Sequence, residues 1–190
     1  MKWEKHTPYK GVKPPADGHY LGQMANVYLN EDKTLIKRKY NHVGVTVNDE
    51  PSKHSRDAIA ERWAREYRWL NEFNGMHFMP ELIDIDFDGG WSIQRYYGPD
   101  LLTQGTSEIP NVSEKTLEIY KFFKEKNVYK KNGSLSNMTH DNGRLIAFDY
   151  KWMVTRDNPN PVHKQYEEYS IDTWLVRIDP SLVPKLKALL

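Results

Sequence analysis

The chain has 190 residues, no cysteine, and 27 Lys and Arg against 26 Asp and Glu, which gives a net charge of +1 at pH 7. The lack of cysteine excludes a disulfide framework, a thiolate metal site and a cysteine nucleophile, and it is typical of a reducing compartment, so we expect a cytoplasmic location. Balanced charge provides no long-range attraction to nucleic acid or acidic membranes. No apolar run approaches the ~18–20 residues that span a bilayer.

In chain order, the first elements are β-prone. Residues 1–19 mix Lys, Pro and Gly without periodicity and are predicted to form an irregular N-terminal arm. Short β-prone runs at residues 27–29 and 34–40 flank turn-forming residues, which predicts a hairpin. Apolar and polar residues alternate around residues 88–90, which predicts a second hairpin that ends before Gly98-Pro99.

The remaining elements are mostly helices. Helices are predicted at residues 57–74, 113–126 and 163–176, with a last helix opened by Asp179-Pro180. Asp57 and Ser113 are the predicted N-caps of the first two. The favoured turn Asn142-Gly143 predicts a third hairpin, whose second strand ends at Asp149.

This order, over residues 20–152, resembles that of the protein-kinase-like superfamily, which includes the small-molecule phosphotransferases that modify aminoglycosides and choline. The resemblance implies an α+β, two-lobed fold. A small lobe of antiparallel strands, residues 20–97, would bind ATP. An abbreviated helical lobe, residues 98–190, would carry a metal-binding hairpin.

The resemblance assigns a charged pair to the small lobe. In the family a strand lysine contacts the nucleotide phosphates, and TLIKRK resembles that V-A-I-K strand, which implies this role for Lys37. A helix glutamate pairs with the lysine, and REYRWLNEF resembles that helix with Glu66 as the partner and Glu61 as the alternative. Without the family context, a solvated strand lysine and an ordinary surface glutamate are the better interpretations of these two residues.

The resemblance also assigns nucleotide and metal contacts. The family's glycine-rich loop is represented here only by Gly22, before Val27, and Tyr96 lies in the predicted linker at residues 95–98. In the family an Asn and an Asp flank a short hairpin and hold magnesium, and Asn137, the THDNGR hairpin and Asp149 match that layout.

One position departs from the family. The family carries an Asp as catalytic base before the metal-binding Asn, whereas this chain has Asn132 there, and residues 127–140 contain no Asp or Glu. Asn132 is therefore expected to orient the acceptor hydroxyl without taking its proton. This leaves three hypotheses: a slow ATP-dependent phosphotransferase with a small-molecule or protein acceptor, a pseudokinase that binds nucleotide or a partner without catalysis, and a nucleotidyl transferase.

Two other kinds of site are weighed against this interpretation. No H-E-x-x-H pair occurs among the 7 His, which disfavours a zinc enzyme. Basic residues 37–39 and 130–131 lie among aromatic residues, as in proteins that bind single strands, but the near-neutral total charge favours solvated or phosphate-facing lysines over a nucleic-acid partner.

Overall fold

The structure is a computed structural model that describes residues 2–6, 24–40, 54–158 and 160–190. The chain divides into two compact units, here called the sheet unit (Met1–Asn74 and Pro80–Tyr96) and the helical unit (Gly75–Met79 and Tyr97–Leu190). Helices and antiparallel strands are both present, which confirms the α+β class. No helix in the described parts of the chain is long and apolar enough to cross a membrane.

The sheet unit contains a five-stranded antiparallel sheet in the order β1-β2-β3-β5-β4. Its strands are β1 (Trp3–Lys5), β2 (Ala25–Asn30), β3 (Leu35–Tyr40), β4 (Leu82–Asp86) and β5 (Trp91–Arg95). The two predicted hairpins, β2–β3 and β4–β5, are confirmed. Asn30 closes the first, because its Oδ1 accepts the backbone N–H groups of Thr34 at 2.9 Å and Leu35 at 2.7 Å.

Strand β1 lies where an irregular arm was predicted. Trp3 pairs with Asn30 and Lys5 pairs with Tyr28, so β1 extends the sheet beyond β2. The prediction is wrong for Trp3–Lys5, because three residues are too few to display the alternation by which a strand is recognised. Residues 7–19 of the predicted arm lie outside the described residues.

Helix α1 (Arg56–Glu72) packs on one face of this sheet. Its buried Trp63 lies 5.0 Å from the Tyr40 ring, and the Trp63 indole N–H donates to the carbonyl of Phe87 at 2.8 Å. The N-cap is Ser55 and not Asp57 as predicted, because the Ser55 hydroxyl accepts the N–H of Ala58 at 3.2 Å.

The helical unit combines α-helices with two short strand pairs. Its elements are α2 (Leu101–Gln104), α3 (Val112–Glu125), β6 (Val128–Tyr129), β7 (Met138–Asp141), β8 (Arg144–Ala147), β9 (Val154–Thr155), α4 (Val162–Thr173) and α5 (Leu182–Lys187). Both longer predicted helices and the third hairpin, β7–β8, are confirmed. Asn111 replaces the predicted N-cap of α3, since the Ser113 hydroxyl instead donates to Asp179 at 2.9 Å.

The β7–β8 hairpin is anchored within the helical unit by hydrogen bonds from both of its strands. The hydroxyl of Thr139 donates to the carbonyl of Pro99 at 2.7 Å, and the N–H of Ala147 donates to the carbonyl of Phe78 at 2.9 Å. The Phe78 ring in turn lies 5.9 Å from that of Phe123 on α3. The residues that flank the hairpin are thereby held by a packed core.

Candidate functional site

Strand β3 presents Lys37 and Arg38 on opposite faces of the sheet, because successive strand side chains alternate. Arg38 lies on the face that α1 covers, where its Nη1 is 3.2 Å from Oε1 of Glu66. The Glu66 side chain is 1% exposed and that of Arg38 is 15% exposed, so this ion pair is largely shielded from water. The predicted pairing of Glu66 with Lys37 is therefore wrong, and the partner is the neighbouring residue.

Lys37 has a different environment on the other face. Its Nζ lies 4.5 Å from the ring centroid of Trp91 and 5.9 Å from that of Trp3, within the range of cation–π attraction. Burial lowers the pKa of Lys37, and the charge of Lys39 lowers it further. Contact between Lys37 and nucleotide phosphates stays a prediction.

Val27 and Tyr96, two of the other residues assigned to nucleotide, lie in the sheet or directly after it. Val27 is directly opposite Arg38 in the β2–β3 register and so belongs to the same face. Tyr96 follows β5, and its N–H donates to the carbonyl of Thr34 at 2.9 Å. Gly22 lies outside the described residues. The nucleotide contacts of these three residues stay predictions.

Asn137 and Asp149 flank the β7–β8 hairpin at its open end. Met138 pairs with Ala147 there, and the N–H of Phe148 donates to the carbonyl of Asn137 at 2.9 Å. Asn137 and Asp149 are each 8% exposed. The amide nitrogen of Asn137 donates to the carbonyl of Asn132 at 3.1 Å, so its Oδ1 is the atom that can serve as a ligand.

Asp149 has a left-handed backbone, with φ 65° and ψ 70°. A non-glycine residue in this region costs about 1–3 kcal/mol and persists only where its surroundings hold it. Lys130 supplies such a hold, because its Nζ donates to the carbonyls of Phe148 at 2.8 Å and Asp149 at 2.7 Å. Lys130 is itself 1% exposed, so this ammonium is part of the interior and not of a solvated basic patch.

The carboxylate of Asp149 has a cationic neighbour, Lys151. Lys151 Nζ donates to Asp149 Oδ1, and both side chains are largely buried. A lysine in contact with a carboxylate competes with a metal ion for the same oxygen. It can also contribute to neutralising phosphate charge once the metal is bound.

The loop before Asn137 is held from helix α4. The N–H of Lys131 donates to Oε2 of Glu167, and the hydroxyl of Ser170 donates to the carbonyl of Lys131 at 2.8 Å. Burial raises the pKa of Glu167 to about 7, although the N–H of Lys131 and the charge of Lys130 lower it. Asn132, the predicted acceptor-orienting residue, follows directly in this loop, and its role stays a prediction.

The donor set at the hairpin end fits magnesium. An amide oxygen from Asn137 and a carboxylate from Asp149 are hard ligands, and magnesium commonly takes one or two of these and completes its shell with waters and phosphate oxygens. In residues 2–6, 24–40, 54–158 and 160–190, no group of three or more His, Cys, Asp or Glu side chains could form a metal cage by itself. A magnesium ion held by Asn137 and Asp149 would therefore need further ligands from outside these side chains.

The sequence analysis assigns no role to Lys151 or Glu167, and it treats Arg38 and Lys130 only as members of basic patches. A usable signal existed for Arg38, because strand alternation places it on the same face as the buried Tyr40. For Glu167 the sequence contains no such signal, since it lies 36 positions from Lys131 and only the tertiary fold brings them together.

No protein-family model matches the chain, and no curated protein matches its sequence. Solved structures do match. A high-resolution crystal structure of WbdD has a TM-score of 0.57 at 12% identity, covering 100% of this chain and 44% of that chain. A structure described as the bifunctional kinase-methyltransferase WbdD has a TM-score of 0.57 at 13% identity, covering 100% and 45%. A co-crystal structure of WbdD with the kinase inhibitor LY294002 has a TM-score of 0.55 at 12% identity, covering 100% and 44%.

The chain thus spans less than half the length of these WbdD chains. At such low identity the similarity concerns the fold alone. Together with the element order and the antiparallel sheet, it supports a kinase-like fold for this chain.

Proposed function

We propose that this chain is an atypical kinase-like protein that binds ATP with magnesium and transfers phosphate to an acceptor of unknown identity, with the sheet unit and the helical unit as its two lobes. The observation that carries the proposal is that Asn137 and Asp149, two buried oxygen-bearing side chains, flank the open end of one hairpin. Magnesium, when bound there, neutralises phosphate charge. A kinase inhibitor co-crystallises with WbdD, whose fold is similar, which also favours a nucleotide ligand.

Each of the site residues has a distinct part in this proposal. Arg38, oriented by Glu66, replaces Lys37 as the strand cation that attracts phosphate oxygens. Lys130 keeps the backbone of Asp149 in its left-handed conformation, so the carboxylate is directed before the metal arrives. Asn132 orients the acceptor hydroxyl. Phosphoryl transfer depends mainly on positioning and electrostatics, so the absence of a carboxylate base predicts slow turnover.

A pseudokinase is the second candidate, and a specific contact favours it. Lys151 contacts Asp149, the one carboxylate of the proposed metal site, and residues 127–140 supply no acid that could replace the missing base. If Lys151 stays in place, the site can hold nucleotide phosphates through cations without any chemistry. The two candidates differ in turnover and not in binding.

Thermal unfolding with and without ATP and magnesium tests binding. A ligand that binds only the folded state at a hundred-fold excess over its dissociation constant adds about 2.7 kcal/mol of stability. We expect Asp149→Asn and Arg38→Gln to lose this shift, each compared with the same variant without ligand, so that intrinsic changes in stability cancel.

Two matched controls should keep the shift. Asp141→Asn alters the same hairpin at a carboxylate that pairs with Arg144, and Lys37→Gln alters the opposite face of β3. A shift lost in Lys37→Gln but kept in Arg38→Gln would contradict the assignment of Arg38. No shift in the wild type would refute the nucleotide site.

Product mass then separates the candidates. Phosphoryl addition to an acceptor, lost in Asp149→Asn, supports the phosphotransferase. Nucleotide binding without turnover supports the pseudokinase, and adenylyl addition supports the nucleotidyl transferase.

A further inference from the structure

Helix α4 holds the loop that leads to Asn132, although α4 contributes none of the proposed site residues. Glu167 Oε2 accepts the N–H of Lys131, and the Ser170 hydroxyl, one helical turn later, donates to the carbonyl of the same residue at 2.8 Å. Lys131 has φ 64°, a left-handed conformation that non-glycine residues rarely adopt. The peptide groups before and after Lys131 are therefore both hydrogen-bonded to side chains of α4.

Two contacts connect this loop to the proposed magnesium ligands. The carbonyl of Asn132 accepts the side-chain N–H of Asn137 at 3.1 Å, and Lys130 Nζ donates to the carbonyl of Asp149 at 2.7 Å. Lys130 and Asn132 are the two chain neighbours of Lys131. A displacement of Lys131 would consequently move one support of each ligand.

Glu167 is a titratable group that holds Lys131, whose two chain neighbours contact the proposed magnesium ligands. It is 1% exposed, and burial raises its pKa to about 7. The N–H of Lys131 and the charges of Lys130 and Arg156 lower the pKa. From α3, the buried Tyr120 faces Glu167, and burial together with this carboxylate raises the pKa of Tyr120 well above its ordinary value.

Three charged or titratable side chains on other elements packed against α4 contact residues other than Glu167. On α5, Lys187 pairs with Asp172 at 2.8 Å at the surface. In the 3₁₀ turn before α5, Arg177 lies 4.7 Å from the ring of Trp174. On β6, the ring of Tyr129 lies 4.5 Å from the guanidinium carbon of Arg156. Within this cluster, Glu167 is the group whose pKa is raised to about 7 by burial.

We infer that Glu167 is a positioning residue for the proposed magnesium ligands, and that its ionised form holds the loop in the conformation that binds metal with nucleotide. This inference rests on the proposed function. A carboxylate accepts the Lys131 N–H more strongly than a protonated carboxyl does, and it attracts the neighbouring Lys130 ammonium. Metal–nucleotide binding should therefore strengthen as the pH rises through about 7.

The first experiment needs no ligand. The amide resonance of Lys131 is followed by NMR from pH 5.5 to 8.5 in the wild type, Glu167→Gln and Glu168→Gln. Glu168 is the matched control, since it lies on the same helix, is 43% exposed and faces Lys164. The Lys131 amide should titrate near pH 7 in the wild type and the control only. An amide that titrates equally in Glu167→Gln, or in none of the three proteins, would overturn the inference.

The second experiment measures binding of Mn²⁺ with a non-hydrolysable ATP analogue at pH 6 and pH 8 by electron paramagnetic resonance. The ionised fraction of a group with a pKa of about 7 rises from about 0.1 to about 0.9 over this interval, so the apparent affinity should rise about ten-fold. The ratio of wild-type to Glu167→Gln affinity cancels the titration of the nucleotide itself. That ratio should change about ten-fold between the two pH values.

An unchanged ratio would overturn the inference while leaving the nucleotide site intact. If the wild type does not bind at either pH, the nucleotide site and the positioning role are both refuted, regardless of how the Lys131 amide titrates by NMR. Ser170→Ala serves if Glu167→Gln does not fold, because it removes the other contact with Lys131. It should weaken binding several-fold and equally at both pH values, and unchanged affinity in this variant would count against the inference.

Discussion

The sheet unit and the helical unit each contain a helix glutamate that is 1% exposed, but one contacts a side chain and the other contacts a backbone N–H. Glu66 on α1 holds another side chain, the guanidinium of Arg38 at 3.2 Å. Glu167 on α4 holds the backbone N–H of Lys131. Loss of Glu66 would take this contact from the shielded, charged guanidinium of Arg38. Loss of Glu167 would take a contact from the uncharged backbone N–H of Lys131. The first contact therefore has the larger consequence for stability, and the second the more direct consequence for loop geometry.

The largest effect should come from Glu66→Ala, which removes one member of a shielded ion pair. Leaving the other charge behind typically costs about 3–5 kcal/mol. Urea denaturation measures this loss. Glu61→Ala is the matched control on the same helix, because Glu61 is 60% exposed and pairs with Arg65 four residues later, a contact worth about 0.3–0.5 kcal/mol. A loss in Glu66→Ala no larger than in the control would show that Arg38 reaches water without Glu66.

The pH dependence of stability should reveal Glu167. In the unfolded chain Glu167 ionises at its ordinary pKa of 4.5, whereas in the folded protein it ionises only near 7. The folded state binds more protons between these values, so Glu167 makes stability fall as the pH rises from about 4.5 to about 7 and contributes no slope above that. The interval corresponds to roughly 3 kcal/mol.

Subtracting the stability of Glu167→Gln from that of the wild type at each pH removes the contribution of other groups. The difference should change by this amount across the interval and be flat from pH 7.5 to 8.5. A difference that is constant from pH 4.5 to 8.5 would mean that Glu167 titrates normally, and that the interior around α4 is open to water.

The difference between local patterns and distant contacts explains which features could be predicted from the sequence. The hairpins, the main helices and the hairpin flanked by Asn137 and Asp149 follow from periodicity and turn residues, which are properties of neighbouring positions. The family resemblance points to Lys37, whereas the residue that pairs with Glu66 is its neighbour Arg38. The two lie on opposite faces of the sheet, because consecutive strand side chains alternate. Glu167 depends on the packing of α4 against a loop far away in the chain, which no local pattern encodes.

The smallest effect concerns where α1, the helix that carries Glu66, begins. Ser55→Ala removes the hydroxyl that accepts the N–H of Ala58 and should cost about 1 kcal/mol. Asp57→Ala removes only a favourable charge from the first turn and should cost about 0.3 kcal/mol at pH 7 and low salt. Urea denaturation of both variants orders the two losses. The reverse order would identify Asp57 as the N-cap, and α1 would then start two residues later. The contact between Glu66 and Arg38 would be unchanged, because Glu66 lies well inside the helix.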